Sequence, residues 1–214
     1  MKDIAVYGVG GFGREVLTLI QDINRQQHQW RIIGFFDDAR QQGEIINGFP
    51  TLGGMEVLNH WENEIAVAIA IGLPSVKKRI FNNITNPVVT YPTLIHPSVL
   101  ICDNNYVQIG QGCIICAGNI ITTNIKLGNF IILNLACTTG HDTIIGDYSS
   151  FMPSVNISGE VFVGDEVYVG TGAKIINQIK IGEQAIIGAG AVVTRNLPAR
   201  CTAVGVPAKP IKQV

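Results

Sequence analysis

Residues 109–145 run I-G-Q-G-C-I-I-C-A-G-N-I-I-T-T-N-I-K-L-G-N-F-I-I-L-N-L-A-C-T-T-G-H-D-T-I-I, and an aliphatic side chain recurs at every sixth position. The phase continues without a break to Val193, and Thr139 is the one member of the series that is not apolar. A helix needs a period near 3.6 and an ordinary strand a period near 2, so neither explains a strict six. Six-residue periodicity is typical of a β-helix, in which each short strand ends at a corner. The series is Ile109, Ile115, Ile121, Leu127, Leu133, Thr139, Ile145, Phe151, Ile157, Val163, Val169, Ile175, Ile181, Ile187 and Val193.

The residue that follows the aliphatic position is often glycine, as at Gly110, Gly128 and Gly140. A β-branched side chain faces the interior once per strand, and we expect the glycine to let the chain turn at the corner. With three hexapeptides in each triangular coil, the series forms about five coils. An earlier partial coil is expected near Ile95, with a small insertion around residues 103–105. A β-sandwich with accidental spacing is the alternative, and the unbroken phase argues against it.

The composition excludes several classes of function. The 214 residues carry a net charge of −1, which gives no support for a nucleic-acid or membrane-surface partner. The apolar run Ile4–Tyr7 is too short to cross a bilayer, and no signal peptide is expected. Five cysteines, an odd number, fit a reduced cytoplasm. Cys113 and Cys116 have a CxxC spacing, but without a second Cys or His pair we favour packing positions over a metal or redox site.

A glycine-rich segment, G-V-G-G-F-G at residues 8–13, follows the apolar run Ile4–Tyr7. The pattern predicts a strand over that run and an amphipathic helix from Arg14 to Asn24. Strand, glycine turn and helix are the order that aims backbone N–H groups at a phosphate. A tight turn without a ligand is the alternative, because GxGxxG alone is a weak signal.

Two further strands are predicted, over Arg31–Phe36 and Ile65–Ile71. The strand that ends at Phe36 is followed by two aspartates, which are placed to accept hydrogen bonds from a ribose or sugar hydroxyl. The other strand is followed by a helix that begins with the basic residues 77–79. Fewer than 95 residues precede the repeat, too few for the two βαβ halves that NAD needs, so a mononucleotide or nucleotide sugar is favoured. The candidate substrate-binding residues are Gly10, Gly11, Phe12, Asp37, Asp38, Gly72 and Lys78.

His141 is the one histidine inside the regular repeat, and Asp142 follows it. An imidazole titrates near working pH and suits a general base, and a carboxylate beside it would orient the ring. Neighbours on an extended strand point to opposite faces, so the two side chains meet only if a corner lies between them. The alternative is an exposed surface histidine. His141 and Asp142 are the candidate catalytic residues, and no metal site is predicted.

The whole chain resembles the NeuD/PglD-like family of sugar acetyltransferases, in which a small Rossmann-like domain precedes hexapeptide repeats. The resemblance predicts a Rossmann-like nucleotide-sugar-binding domain over residues 1–93 and a left-handed parallel β-helix over 94–214; the left hand follows from the resemblance alone, since parallel crossovers are normally right-handed. The residues that carry it are Gly8-Val9-Gly10-Gly11-Phe12-Gly13, Phe36-Asp37-Asp38, Ala70-Ile71-Gly72, Asn134, Gly140-His141-Asp142 and Gly205-Val206-Pro207-Ala208-Lys209.

The resemblance also implies an activity, a co-substrate and an assembly. It implies direct acetyl transfer from acetyl-CoA to a UDP-linked 4-amino sugar in surface-glycan biosynthesis, in the cytoplasm, by a homotrimer with active sites between subunits. Family members often have a second histidine near the acetyl group, nine residues after the first, and here that position is Ser150. The implied coenzyme-binding residues are Ser150, Gly159, Thr171, Gly188 and Ala189.

Three alternatives remain open from the sequence. O-acetylation of a sugar or sialic acid would use the same machinery, and the sequence does not separate an amine acceptor from a hydroxyl one. A zinc carbonic anhydrase built on this repeat needs three histidine ligands, and His141 is the one suitably placed in the coils. A non-enzymatic scaffold would need neither the glycine turn nor the His-Asp pair.

Overall fold

The computed structural model describes residues 1–213, which form two compact units, Met1–Pro97 and the chain from Ser98 onward. The division falls slightly after the expected boundary at residue 93. The reason lies in the strand Leu94–Ile95 and the residue after it, since His96 Nε2 lies 3.2 Å from the Asp22 carboxylate of the first helix. No helix in residues 1–213 is long and apolar enough to cross a bilayer.

The first unit is an α/β domain built on a six-stranded sheet of order β3-β4-β2-β1-β5-β6. All neighbours in this sheet are parallel except β3 and β4. Strand β1 is the centre of the sheet, with β2 on one side and β5 on the other, so the turn after β1 lies where the strand order reverses. The elements are β1 Lys2–Tyr7, α1 Gly11–Gln26, β2 Trp30–Phe36, β3 Ile45–Ile46, β4 Phe49–Gly53, α2 Met55–Asn59, β5 Ile65–Ile69, α3 Pro74–Asn83, β6 Val89–Thr90 and β7 Leu94–Ile95.

The three predicted strands and two predicted helices of this unit exist, with shifted ends. Helix α1 begins at Gly11, three residues before the expected start at Arg14. Gly11 and Gly13 therefore already belong to the helix, which an argument from apolar periodicity does not detect. Strand β5 ends at Ile69 rather than Ile71, and α3 begins at Pro74, because proline suits the first helical position.

The second unit is a parallel β-helix whose strands are two or three residues long until the final hairpin. The strands are β8 Leu100–Ile101, β9 Val107–Ile109, β10 Ile114–Ile115, β11 Ile120–Ile121, β12 Ile125–Leu127, β13 Ile132–Leu133, β14 Thr138–Thr139, β15 Ile144–Ile145, β16 Ser150–Phe151, β17 Asn156–Ile157, β18 Phe162–Val163, β19 Tyr168–Val169, β20 Lys174–Ile175, β21 Lys180–Ile181, β22 Ile186–Ile187, β23 Val192–Val193, β24 Cys201–Val204 and β25 Lys209–Gln213.

Each coil consists of three hexapeptides, as the period predicts. In one sheet the parallel register joins Ile120 to Thr138, Thr138 to Asn156 and Asn156 to Lys174, always residues 18 apart. The three sheets of this unit have the orders β25-β24-β22-β19-β16-β13-β10, β23-β20-β17-β14-β11-β8 and β21-β18-β15-β12-β9. The six-residue series faces the interior, since every member from Ile115 to Val193 is buried.

The expected insertion around residues 103–105 is present. Strand β8 ends at Ile101 and β9 at Ile109, two residues more than the regular spacing, and Tyr106 N–H donates to the Asp103 carbonyl across the extra turn. At the other end of the coils the antiparallel strand β25 pairs with β24 and closes the stack.

The corners turn through residues in the left-handed region of backbone space, which recur every six positions. Most of them are not glycine, as at Asn124 (φ 55°), Asp142 (φ 58°) and Glu160 (φ 58°). The glycines that follow the aliphatic positions have a different role from the one expected. A Cβ at Gly140 would lie 2.6 Å from Gly159 N, and one at Gly170 would lie 2.5 Å from Ala189 N. These glycines therefore allow successive coils to stack closely, and the left-handed residues two positions later supply the turn.

Candidate active site

His141 and Asp142 lie together at a corner of the β-helix, between strands β14 and β15. His141 Nδ1 is 2.7 Å from Asp142 Oδ2, and both side chains are about half exposed. The left-handed backbone at Asp142 forms the corner that the two side chains need in order to meet, and it brings them to the same side of the chain. With Nδ1–H donating to the carboxylate, Nε2 is the basic nitrogen of the ring.

The imidazole of His141 lies over Gly159, the equivalent residue one coil later. A Cβ at Gly159 would meet His141 Nε2 at 2.4 Å and Cε1 at 2.5 Å. The backbone of Gly159 is not in the left-handed region, so the missing side chain is needed for the ring rather than for the turn. Gly159 was expected from the family resemblance to contact coenzyme A; the structure places it beneath the candidate base.

The Asp142 carboxylate has a second partner on the preceding coil. Asn124 Nδ2 donates to Asp142 Oδ1 at 3.0 Å, while Oδ2 faces His141. The hydrogen bond with His141 and then the one from Asn124 lower the pKa of the Asp142 carboxyl, because both stabilise its ionised form. The sequence reasoning missed Asn124; counting back 18 residues from Asp142, one full coil, would have found it.

The candidate nucleophiles for an acyl-enzyme are poorly placed for that role. Burial raises the pKa of the Cys137 thiol to about 11, so it stays protonated at neutral pH. Ser149 is buried, and its hydroxyl donates to the Gly164 carbonyl at 3.0 Å. Ser150, at the position of the family's second histidine, has no exposed surface in the single chain. The described residues thus favour a base over a nucleophile.

Four of the five residues expected to bind coenzyme A lie on two different edges of the β-helix, and the fifth, Ser150, is buried in strand β16. We call the corner column that contains His141 and Gly159 the His141 edge. Thr171, Gly188 and Ala189 lie on the Thr171 edge, the column between β19 and β20 and between β22 and β23. Thr171 and Ala189 are 18 residues apart and both exposed, and Gly190 N–H donates to the Thr171 carbonyl at 2.8 Å. Small residues on this edge leave its backbone open to a ligand.

In the first unit, the glycine turn has the form of a phosphate site. A Cβ at Gly13 would lie 1.8 Å from the Gly8 carbonyl oxygen, so this glycine allows close packing of α1 on the turn. Gly10 and Gly11 are exposed, and a Cβ at either would meet nothing within 4 Å. Phe12 is half-buried beside them. Open space in front of the start of a sixteen-residue helix suits a phosphate group.

Asp37 and Asp38 hold the turn in place. Asp37 Oδ2 accepts from Val9 N–H at 2.9 Å, and its Oδ1 accepts from Ala39 N–H at 2.9 Å. Asp38 accepts from the Tyr7 hydroxyl at 2.5 Å and from Met55 N–H at 2.7 Å. Burial, followed by the bond to Asp38, raises the pKa of the Tyr7 hydroxyl, so it remains a donor. Both acidic side chains thus serve the protein's own backbone and hydroxyl groups, and their binding of a sugar hydroxyl stays a prediction.

The other two predicted substrate residues follow strand β5. Gly72 is half-buried in the connection between β5 and α3, and Lys78 is half-buried on α3. Because β5 is parallel to β1 and adjacent to it, this connection emerges at the same edge of the sheet as the glycine turn. The cavity lined by Val57, His60 and Trp61 includes none of these predicted residues.

Metal-ligand side chains do not gather in the described part of the chain: no group of three His, Cys, Asp or Glu within residues 1–213 is placed to hold an ion. Cys113 and Cys116, the CxxC pair, are both buried, and Cys113 Sγ donates to the Gly128 carbonyl at 3.2 Å.

Known proteins resemble this chain along nearly its whole length. A family model described as the PglD N-terminal domain matches residues 3–84, and one described as bacterial transferase hexapeptide (six repeats) matches residues 160–195. A GDP-perosamine N-acetyltransferase of Escherichia coli O157:H7 is 33% identical over 176 residues, covering 82% of this chain and 78% of that protein. The chain belongs to the NeuD/PglD-like family of sugar acetyltransferases.

Solved structures agree with this membership. The acetyltransferase domain of PglB from Neisseria gonorrhoeae FA1090, in complex with acetyl coenzyme A, has a TM-score of 0.88 and 31% identity, over 98% of this chain and 99% of that one. PerB from Caulobacter crescentus, in complex with CoA and GDP-perosamine, has a TM-score of 0.89 and 26% identity, over 99% and 98%. As a NeuD/PglD-like protein, the chain is an acetyl-CoA-dependent acyltransferase, and its coils are the left-handed parallel β-helix of hexapeptide-repeat transferases.

Proposed function

We propose that this acetyltransferase N-acetylates a nucleotide-linked 4-amino sugar by direct transfer, with His141 as the general base. The observation that carries the proposal is the exposed pair in which Asp142 Oδ2 lies 2.7 Å from His141 Nδ1, leaving Nε2 as the basic nitrogen. The two relatives named for GDP-perosamine support an amino sugar as the acceptor. The family resemblance predicts UDP as the nucleotide, and these relatives make GDP the second nucleotide to test.

The chemistry follows from this geometry. The sugar amine attacks the thioester carbonyl carbon of acetyl-CoA, and His141 Nε2 takes the proton that the amine loses as the new N–C bond forms. The C–S bond then breaks, and the coenzyme leaves as a thiolate that takes up a proton to give the thiol. Asp142 holds the ring in the required tautomer and stabilises the imidazolium. Direct transfer is supported by Cys137 and Ser149, which are too buried to be acylated.

The glycine turn is the proposed site for the nucleotide phosphates. Gly10 and Gly11 leave room at the start of α1, where backbone N–H groups favour an anion. Gly72 and Lys78 emerge at the same edge of the sheet and are proposed to contact the sugar or the second phosphate.

A homotrimer is proposed as the working form. The candidate base lies on the His141 edge, whereas Thr171 and Ala189, the proposed coenzyme contacts, lie on the Thr171 edge. The two edges are separate within one chain. In a cyclic trimer, the His141 edge of one chain would lie beside the Thr171 edge of its neighbour. Exposed Ile144 and Phe162, on strands that leave the His141 edge, are apolar surface suited to such contact. An odd number of cysteines, five, is consistent with the cytoplasm as the proposed location, and surface-glycan biosynthesis is the proposed pathway.

An assay of thiol release with acetyl-CoA and a set of acceptors tests the proposal. UDP- and GDP-linked 4-amino sugars are expected to release thiol, and the matching 4-hydroxy sugars and sialic acid are not. Release with the hydroxy acceptors alone would replace the proposal with O-acetylation. The His141→Ala variant is expected to lose most turnover, by about a thousandfold, while still binding coenzyme A. Full turnover by this variant would remove His141 from the mechanism.

A further inference from the structure

The Asp142 carboxylate is held from both sides, by His141 on its own coil and by Asn124 on the preceding coil. Its Oδ2 lies 2.7 Å from His141 Nδ1, and its Oδ1 accepts from Asn124 Nδ2 at 3.0 Å. We infer that Asn124 is a positioning residue for acetyl transfer, because it fixes the rotation of the Asp142 carboxylate and so the orientation of the His141 ring. The inference rests on the proposed role of His141 as the base.

The backbone conformation places Asn124 and Asp142 close enough for this hydrogen bond. Asn124 and Asp142 are 18 residues apart, so they occupy equivalent corners of successive coils, and both have left-handed backbones (φ 55° and 58°). Asp142 N–H donates to the Thr123 carbonyl at 3.2 Å, which links the two corners directly. Asparagine and aspartate adopt this conformation more readily than most residues. The side chain of Asn124 therefore has only the spacing between two coils to span.

The donor is needed because the carboxylate is exposed to water. A half-exposed Asp142 without a second partner can rotate and present either oxygen, or neither, to the imidazole. An amide N–H anchors one oxygen without adding a charge. The charged groups around the pair are Glu160, whose N–H donates to the His141 carbonyl; Asp103, which accepts from Thr123; and Lys126, in register beside Ile144 on the next strand.

The same edge supplies a matched control. Three coils after Asn124 and one after Glu160, Gln178 also has a left-handed backbone (φ 61°), and its Nε2 donates to Glu160 Oε2 at 3.2 Å. This pair repeats the amide–carboxylate contact across one coil, but neither of its members bonds an imidazole side chain in the described residues. Removing the Gln178 side chain thus removes an equivalent hydrogen bond without touching the His141–Asp142 pair.

The experiment compares three substitutions of Asn124 with Gln178→Gly in the full-length protein. Asn124→Gly keeps the left-handed backbone without strain and deletes the donor; Asn124→Asp keeps the shape and replaces the donor with a like charge; Asn124→Gln retains an amide. We expect kcat to fall about five- to tenfold for the Gly variant and further for the Asp variant. The KM for acetyl-CoA and the melting temperature should stay unchanged, the Gln variant should recover most of kcat, and Gln178→Gly should resemble the wild type.

Two results would overturn the inference. One is a kcat within twofold of wild type for both Asn124→Gly and Asn124→Asp, measured beside an inactive His141→Ala. That result would support His141 as the base and contradict a positioning role for Asn124. The other is an equal loss in Gln178→Gly with a lower melting temperature in both proteins, which would show a structural role alone. If His141→Ala itself is fully active, the proposed function fails, and that outcome is distinct from either of these.

Discussion

At the scale of single residues, the candidate active site is one imidazole whose surroundings come from three successive coils. The preceding coil contributes Asn124, its own coil contributes Asp142, and the following coil contributes the bare backbone of Gly159. Asn124 lies 18 residues before Asp142, and Gly159 lies 18 residues after His141. The six-residue period that builds the fold therefore also aligns the site. The contribution of each contact can therefore be measured separately.

Replacing Asp142 with Asn should lower the rate of acetyl transfer. The hydrogen bond with His141 lowers the pKa of the Asp142 carboxyl, so this group is ionised in the neutral range and can accept the proton on Nδ1. An amide in its place no longer selects that tautomer or stabilises the imidazolium, and we expect kcat to fall ~100-fold. Thiol release measures the effect, and a kcat within twofold of the wild type would contradict the argument.

Replacing Gly159 with Ala should displace the His141 ring. The backbone accepts alanine, but the new Cβ would lie 2.4 Å from Nε2, so the imidazole must move. We expect kcat to fall roughly 10- to 100-fold with an unchanged melting temperature. In a His141→Ala background the same substitution should cost no further activity. A weaker affinity for coenzyme A in both backgrounds would instead assign Gly159 to coenzyme binding, as the family resemblance implied.

At the scale of elements, two glycines at the start of α1 have different roles: Gly13 is needed for packing, and Gly11 is proposed to leave room for a phosphate. Gly13→Ala places a Cβ 1.8 Å from the Gly8 carbonyl oxygen and should destabilise the first unit by about 2 kcal/mol. Gly11→Ala meets nothing within 4 Å and should leave stability unchanged, but its methyl group enters the proposed phosphate space and should raise the KM for the nucleotide sugar about tenfold. The chain's two tryptophans, Trp30 and Trp61, both lie in this unit, so their fluorescence reports its unfolding. Equal stability losses in the two variants would contradict the assignment.

Much of the fold was predictable because the six-residue period is visible in the sequence. Contacts between successive coils were not predicted, because residues 18 positions apart were not compared. The aliphatic series predicted the coils, their three hexapeptides and the insertion after Ile101. The glycines after the aliphatic positions were assigned to turning, yet they serve close stacking, since sequence spacing does not distinguish a left-handed backbone from a close approach. The His141–Asp142 pair was found as neighbours in sequence. Asn124 and the place of Gly159 under the ring depend on an 18-residue repeat that adjacent-residue reasoning does not examine.

At the scale of the whole molecule, the proposed site is divided between two edges of the β-helix. The His141 edge holds the base and the residues that orient it. The Thr171 edge holds exposed small residues, including Ala189, where a ligand can approach the backbone. In a ring with heterologous interfaces, each site combines one edge of one chain with the other edge of its neighbour. A single mass measurement by light scattering should therefore give three chains, but mass alone does not show that the site is shared.

Complementation between two inactive variants tests the sharing directly. His141→Ala removes the base, and Ala189→Arg fills the Thr171 edge with a long charged side chain, so each homogeneous protein should be inactive. When the two are co-expressed with different tags and mixed assemblies are purified, a shared site regains both intact edges wherever an Ala189→Arg chain supplies His141 to a neighbour with the native Ala189. Every mixed trimer, with either one or two chains of each kind, contains one such pair among its three sites, so about a third of wild-type turnover should return. A site contained within one chain would recover nothing, because every chain in the mixture carries one of the two defects.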